Sequence, residues 1–342
     1  MRRAASLAAL SLVAASSLAL AGCASGADAA ADTARHAASD GFPVTIQHVY
    51  GTTTIPTKPQ RVATVAWGNG EVPLALGVVP VGMAKATWGD DDHDGILPWA
   101  EEKIAELGGT TPALYDETDG IDFEAVADTK PDVILAAYSG ITRSEYDTLS
   151  KIAPVVAYPG TSWGTSYEDM IRMDAKAIGL QAQGDALIDR LHGEVDDALS
   201  DFPKLKDATV LFSYIDPADH SNIGFYTDHD TRPGFLLSLG MPEPQVVKEE
   251  SAQTREFYVT VSAEQADRFD DVDLFVTYGD DADAMIASLQ ADPLLSKIPA
   301  IAAGHIAVLK NDTPLAASAN PSPLSIGWGI HDYFALLAKA LD

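Results

Sequence analysis

The chain has 342 residues, 50 of them acidic and 22 basic, for a formal net charge of −28. Nucleic acid and anionic membrane surfaces need clustered cations, so this balance argues against both as partners. A single cysteine excludes disulfides and thiolate metal sites.

Arg2 and Arg3 precede a run of small apolar residues from 4 to 20, shorter than the ~20 residues a spanning helix needs; the pattern is that of a secretory signal. Leu20-Ala21-Gly22-Cys23 closes it and resembles the bacterial lipobox. That resemblance implies cleavage before Cys23 and a lipid on its thiol, so that the chain is anchored to the cell membrane and faces its extracytoplasmic side. Residues 24–42 are mostly Ala, Ser, Asp and Gly without apolar period, which predicts a flexible tether. The remaining 300 or so residues suit two domains of ~150 each.

The globular part reads twice. Arg61–Trp67 is a buried strand, a helix ends at Leu74-Ala75-Leu76-Gly77, and Val78–Met83 is a strand. Ile121–Val126 starts a short helix, Pro131–Tyr138 is a strand, a helix ends at Leu149–Ile152, and Pro154–Tyr158 is the last strand. The second half repeats these landmarks: strand Ala208–Ile215, helix end Leu237–Gly240, helix start Val261–Gln265, strand Val272–Tyr278, helix end Leu295–Ile298, and strand His305–Lys310. Glu124 precedes Tyr138 by the same interval that separates Glu264 from Tyr278. Strands with near-continuous apolar runs, alternating with helices, predict parallel sheets covered on both faces.

Between the halves, Thr165-Ser166-Tyr167-Glu168 reads as a capping box opening a helix to about Gly179. A second helix carries Leu187, Leu191, Val195 and Leu199 on one face and stops near Phe202-Pro203. Pro323–Leu341 forms a closing helix. The expected organisation is a signal peptide (1–22), a tether (23–42), an N-terminal lobe (43–165), a helical linker (166–203) and a C-terminal lobe (204–342). The fold class is α/β: two Rossmann-like lobes with mainly parallel sheets joined by a long helical linker, which should permit only modest closure.

Arg61-Val62-Ala63-Thr64, Leu76–Gly82, Lys130–Ile134, Leu149–Val156 and the helical hinge together resemble the periplasmic-binding family for ferric siderophores and cobalamin, the substrate-binding lipoproteins of ABC importers. The resemblance covers nearly all of residues 44–342. It implies a monomeric binding protein and not an enzyme. Such a protein needs no covalent cofactor; it captures a ferric siderophore, or alternatively cobalamin or haem, between its lobes and hands it to a membrane permease. It also implies that a surface Glu on each lobe docks on permease arginines. Glu124 and Glu264 match those positions, although an acid in a first helical turn also favours the helix dipole by ~0.3–1 kcal/mol.

The ligand cleft is expected at the carboxyl ends of the strands. Trp67, Tyr138 and Tyr278 end strands there, and Trp88, Trp163, Phe225 and Tyr226 are assigned to connecting loops. Any one of these aromatics could serve the core; as a set they suit a large, partly apolar chelate. Arg143 and Arg232 fall at helix starts, where a cation opposes the dipole, and are read as a two-lobed clamp for an anionic chelate. Whether a side chain contacts iron stays open, with Tyr138, Tyr226, Tyr278 and His229 the first candidates. Two further patterns carry less. Gly160-Thr161-Ser162-Trp163-Gly164 fits a nucleophile elbow, which would make Ser162 the nucleophile of a surface hydrolase, but Pro159 and the delayed helix start disagree with one. His220 and His229, with Asp216, Asp219, Asp228 and Asp230, share no ligating spacing and read as a solvated acidic loop.

Overall fold

Two five-stranded sheets of matching strand order organise residues 41–342, the part of the chain that the computed structural model describes. The signal peptide, Cys23 and all but the last two residues of the tether lie outside it.

The first sheet contains β3 (Val62–Thr64), β4 (Gly82–Ala84), β5 (Ala113–Tyr115), β6 (Val133–Ala136) and β7 (Val155–Ala157) in the order β5-β4-β3-β6-β7. Every neighbouring pair is parallel. The strands are short and mostly apolar, as suits a sheet covered by helices; β6 is buried along its whole length. Ahead of this sheet, β1 (Val44–His48) and β2 (Gly51–Ile55) form an antiparallel hairpin that the sequence reading left unassigned.

The second sheet contains β8 (Val210–Tyr214), β9 (Asn222–Tyr226), β10 (Tyr258–Ser262), β11 (Leu274–Gly279) and β12 (Ile306–Lys310), ordered β10-β9-β8-β11-β12. Here β8, β11 and β12 run parallel, while β9 is antiparallel to both neighbours. Each sheet therefore reverses its winding between its central strand and the next, at β3/β6 and at β8/β11. Ligands bind at such switch points in open α/β sheets.

Helices Tyr167–Ala177 and Gln181–Ser200 lie between the sheets in the chain and pack on each other. The first is capped one residue later than expected. The Ser166 hydroxyl accepts from Asp169 N at 3.2 Å, while the Thr165 hydroxyl is buried and donates to Ala137 O at 2.6 Å. The closing helix, Ser325–Ala340, packs along Gln181–Ser200. One apolar cluster runs through all of this, from Leu135 and Val156 of the first sheet to Phe212, Leu274 and Val276 of the second. A buried acid adds a polar tie. Glu71, at the start of a short helix after β3, accepts hydrogen bonds from the Ser322 hydroxyl and from Leu324 N, pinning the segment before the closing helix to the first half of the chain. Burial pushes its carboxyl pKa up.

Candidate functional site

At the β3/β6 switch point, Asn69 fastens the two strand ends together. Its amide nitrogen donates to Val65 O at 2.8 Å and Tyr138 O at 2.7 Å, and its oxygen accepts from Tyr138 N at 3.0 Å. Asn69 is fully buried, so these bonds replace water outright. They fix Trp67 and Tyr138, the residues that leave β3 and β6 on the cleft side. Ala66 takes a left-handed φ of 63°, and its N–H donates to a Glu117 carboxylate oxygen at 2.9 Å. Burial raises the Glu117 pKa to about 7.

Trp163 follows β7 and lies edge-on to Tyr138, ring centres 5.4 Å apart. It has a φ of 61°, and its N–H donates to Ser139 O at 2.9 Å. Residue 140 must be glycine for this placement, since a Cβ there would meet the Trp163 indole nitrogen at 2.3 Å. The left-handed residue is Trp163 and not Ser162, a further departure from a nucleophile elbow.

Across the cleft, Arg232 is the second residue of helix Thr231–Ser238, in its first turn. Asp230 caps that helix through Arg232 N and also grips the guanidinium, Nε to Oδ1 at 2.8 Å and Nη2 to Oδ2 at 2.9 Å. Asp230 is 1% exposed and the Arg232 side chain 17%. The guanidinium carbon lies 3.9 Å from the Tyr226 ring centre, and Nη1 donates to the Tyr278 hydroxyl at 3.4 Å. Burial opposes the Arg232 charge, but Asp230 outweighs it and keeps the guanidinium protonated. Tyr278, at the end of β11, meets Trp88 edge-on at 5.7 Å. Burial pushes the Tyr278 phenol up to about 12 and raises that of Tyr138 as well. Both phenols therefore stay protonated near neutral pH and hydrogen-bond across the cleft, Tyr138 with Asn320 and Tyr278 with Arg232.

These side chains enclose a cavity of about 350 Å³, lined by Trp67, Trp88, Tyr138, Trp163, Arg232 and Tyr278 among others. The same cavity is lined by Phe257 and Asn320, which the sequence reading missed. Asn320 bridges the halves of the chain: its nitrogen donates to the Tyr138 hydroxyl at 2.9 Å, and its oxygen accepts from the Thr231 hydroxyl at 2.6 Å. The Asn-Pro dipeptide at 320–321 signals a turn, but nothing local places that turn in the cleft. Asp230 was grouped with the acidic loop; as an Asx residue two before Arg232, it could have been read as a helix cap.

Three sequence expectations are corrected. Phe225 is on strand β9 and not on a loop, and it is fully buried against Phe269 in the outer core of the second sheet. Tyr226 is on the same strand, and the alternation of side chains turns it to the opposite face, beside Arg232. Arg143 does begin a helix with a Thr142–Glu145 capping box, but it is 64% exposed, pairs with Asp147 at 3.0 Å, and lies over the rings of Tyr50 and Tyr146. It does not line the cavity, so the two-lobed cationic clamp is not assembled. Of the candidate iron contacts, His229 is engaged elsewhere, with Asp228 at 3.0 Å and with the carbonyls of Ser251 and Thr254. His220 faces Asp292 at 3.5 Å. Among the described residues, the one group of three acidic or metal-ligating side chains close enough to share an ion is Asp90, Asp92 and Asp94, outside the cleft lining.

Glu124 and Glu264 are both exposed, each in the first turn of a short helix with a capping residue two positions before it, Asp122 and Ser262. No helix of the described residues is long and apolar enough to cross a membrane.

A two-lobed α/β protein with an aromatic cleft at its switch points has the form of a solute-binding protein. Residues 62–313 match the family model described as Periplasmic binding protein, and the chain belongs to that family, one of substrate-binding transport proteins and not of enzymes. It is similar to the crystal structure of Streptococcus pneumoniae TIGR4 PiaA in complex with ferrichrome, at 47% identity and a TM-score of 0.82 over 87% of this chain and 98% of that one. A periplasmic solute-binding protein of Mycobacterium smegmatis is similar at 26% identity and a TM-score of 0.70, over 87% and 99% of the two chains. YfiY of Bacillus subtilis (strain 168), named "Probable siderophore-binding lipoprotein", is 28% identical over 240 residues, 68% of this chain and 67% of that protein.

Proposed function

We propose that this protein is the lipid-anchored receptor of an ABC importer, that it captures a ferric siderophore carrying no net negative charge, and that it delivers this chelate to a permease. Cys23 carries the anchor, and Glu124 and Glu264 meet the permease. The observation that carries the ligand class is the pairing of Arg232 with Asp230. Arg232 is the one basic residue among the cavity's lining, and a buried carboxylate already balances it. A tris-catecholate or citrate complex bears several negative charges and would enter an aromatic pocket that offers no surplus cation, in a chain that is itself strongly acidic. Desolvating such charges without partners costs several kcal/mol per ion. An uncharged ferric trihydroxamate has no such cost, and its amide and methylene surface suits tryptophan and tyrosine walls. Ferrichrome in the PiaA complex is the corresponding ligand of a similar chain.

The test is a titration of the purified chain lacking residues 1–22, followed by tryptophan fluorescence, with ferrichrome, a ferric tris-catecholate, ferric citrate, haem and cobalamin. Ferrichrome is expected to bind and the anionic chelates to bind at least tenfold more weakly. Equal or tighter binding of the tris-catecholate would overturn the charge assignment, and binding of cobalamin or haem alone would overturn the siderophore assignment.

A further inference from the structure

Tyr278 also adjoins a second cavity of about 340 Å³, nearly the volume of the first. Its other walls come from the carboxyl ends of β8, β11 and β12 and from the helix Ala282–Ala291. They include Tyr214, Met285, Asp280, Asp281 and Asn311. Tyr214 is 43% exposed, one of the few large side chains of the described residues left so open, and its ring forms part of this wall.

The two chambers differ in charge. The first is balanced, Arg232 against Asp230. The second contains Asp280 and Asp281 and no basic residue. Asp281 caps its helix by accepting from Ala284 N at 3.0 Å; Asp280 is exposed and makes no such bond among the described residues. The nearest basic residue in register, Lys310 opposite Gly279, forms no ion pair with either. An apolar, partly aromatic wall ending in unneutralised carboxylates suits one chemical feature: a flexible alkyl arm with a protonated amine at its tip. The methylenes lie along Tyr214 and Met285, and the ammonium meets Asp280.

We propose that this chamber is a specificity subsite for ferric hydroxamates bearing a protonated amine arm, with Asp280 as the residue that recognises the ammonium. This rests on the reading of the first cavity as the site of an uncharged ferric hydroxamate core. Tyr278, which lines both cavities, is then the wall shared by the core's site and the arm's.

The test compares three probes on the same purified protein: ferrichrome, which has no amine; ferrioxamine B, a linear ferric trihydroxamate ending in a pentyl ammonium; and its N-acetylated form, of nearly equal size and uncharged. Ferrioxamine B is expected to bind roughly three- to tenfold more tightly than its acetylated form at low salt, and that ratio should fall toward one at high salt. Asp280→Asn should abolish the ratio while ferrichrome affinity and melting temperature stay at their wild-type values. Asp280→Asn with Asp281→Asn, in which Asn keeps the helix cap, should do the same. Equal affinity for the two ferrioxamine forms in the wild type, or a preference that survives both variants, overturns the subsite. Failure of all three chelates to bind overturns the hydroxamate reading of the first cavity, a separately identifiable outcome.

Discussion

Replacing Asp230 by Asn tests how charge is arranged in the cleft. Asn keeps an oxygen to cap helix Thr231–Ser238 and to accept from Arg232 Nε, but the bidentate partner at Nη2 and the negative charge are lost. Removing one member of a buried ion pair costs roughly 3–5 kcal/mol, because the other charge stays desolvated. Asp230 is almost completely buried, whereas Arg232 keeps an edge on the cavity, so the lower end of that range applies. The cation–π contact with Tyr226 offsets part of the loss but not most of it. Two readouts follow. Urea denaturation should show a stability loss of about 3 kcal/mol, and most of it should be recovered by adding Arg232→Met, which removes the stranded charge. The cleft of the single variant would carry a net positive charge, so the affinity ratio of a ferric tris-catecholate to ferrichrome should rise severalfold over wild type. Wild-type stability together with an unchanged ratio would refute the claim that Asp230 neutralises Arg232.

Glu117 gives a pH prediction. Its folded pKa of about 7 lies above its ordinary value of 4.5, so the folded chain holds a proton that the unfolded chain has lost between those limits. Stability should therefore fall as pH rises from about 4.5 to 7, by an amount on the order of 3 kcal/mol, and Glu117→Gln should flatten that slope in denaturation curves; a slope unchanged by the substitution would refute it. If Glu124 and Glu264 dock on permease arginines as proposed, Glu124→Arg and Glu264→Arg should collapse uptake of ⁵⁵Fe-labelled chelate by cells while the purified variants bind the chelate as the wild type does. A loss of affinity in both would move these residues into the cleft. Cys23→Ala should leave the precursor uncleaved and without fatty-acid label, and normal processing of that variant would contradict the anchor.

What the sequence made legible follows from the physics of buried parallel strands. β6, β8 and β11 are covered on both faces, so their apolar runs stand out from the polar segments beside them. β9 was hidden by Gly224 within it. That glycine is required because a Cβ would lie 1.7 Å from the Tyr258 hydroxyl of the neighbouring strand, a contact 34 positions away that no local pattern reports. Without the strand there was no alternation to separate Phe225, turned into the core, from Tyr226, turned to Arg232. The same limit applied to Arg143. Its capping box was readable, but the Tyr50 ring that draws its side chain away from the cleft comes from a hairpin far earlier in the chain. Trp67, Trp88, Tyr138, Trp163, Arg232 and Tyr278 were legible because aromatics and a scarce cation at strand and helix ends are unusual. Asn320 was not, since an Asn-Pro turn looks the same whether it faces solvent or the cleft.

In the proposed function the aromatic cavity holds an iron chelate through its organic shell. A crystal of the protein grown with ferrichrome and measured at the iron absorption edge tests this most directly. One anomalous peak is expected inside the cavity bounded by Trp67, Trp88, Trp163 and Arg232, beyond coordination distance of every protein oxygen and nitrogen. A peak bonded to the hydroxyl of Tyr138 or Tyr278, or an iron site outside that cavity, would contradict it.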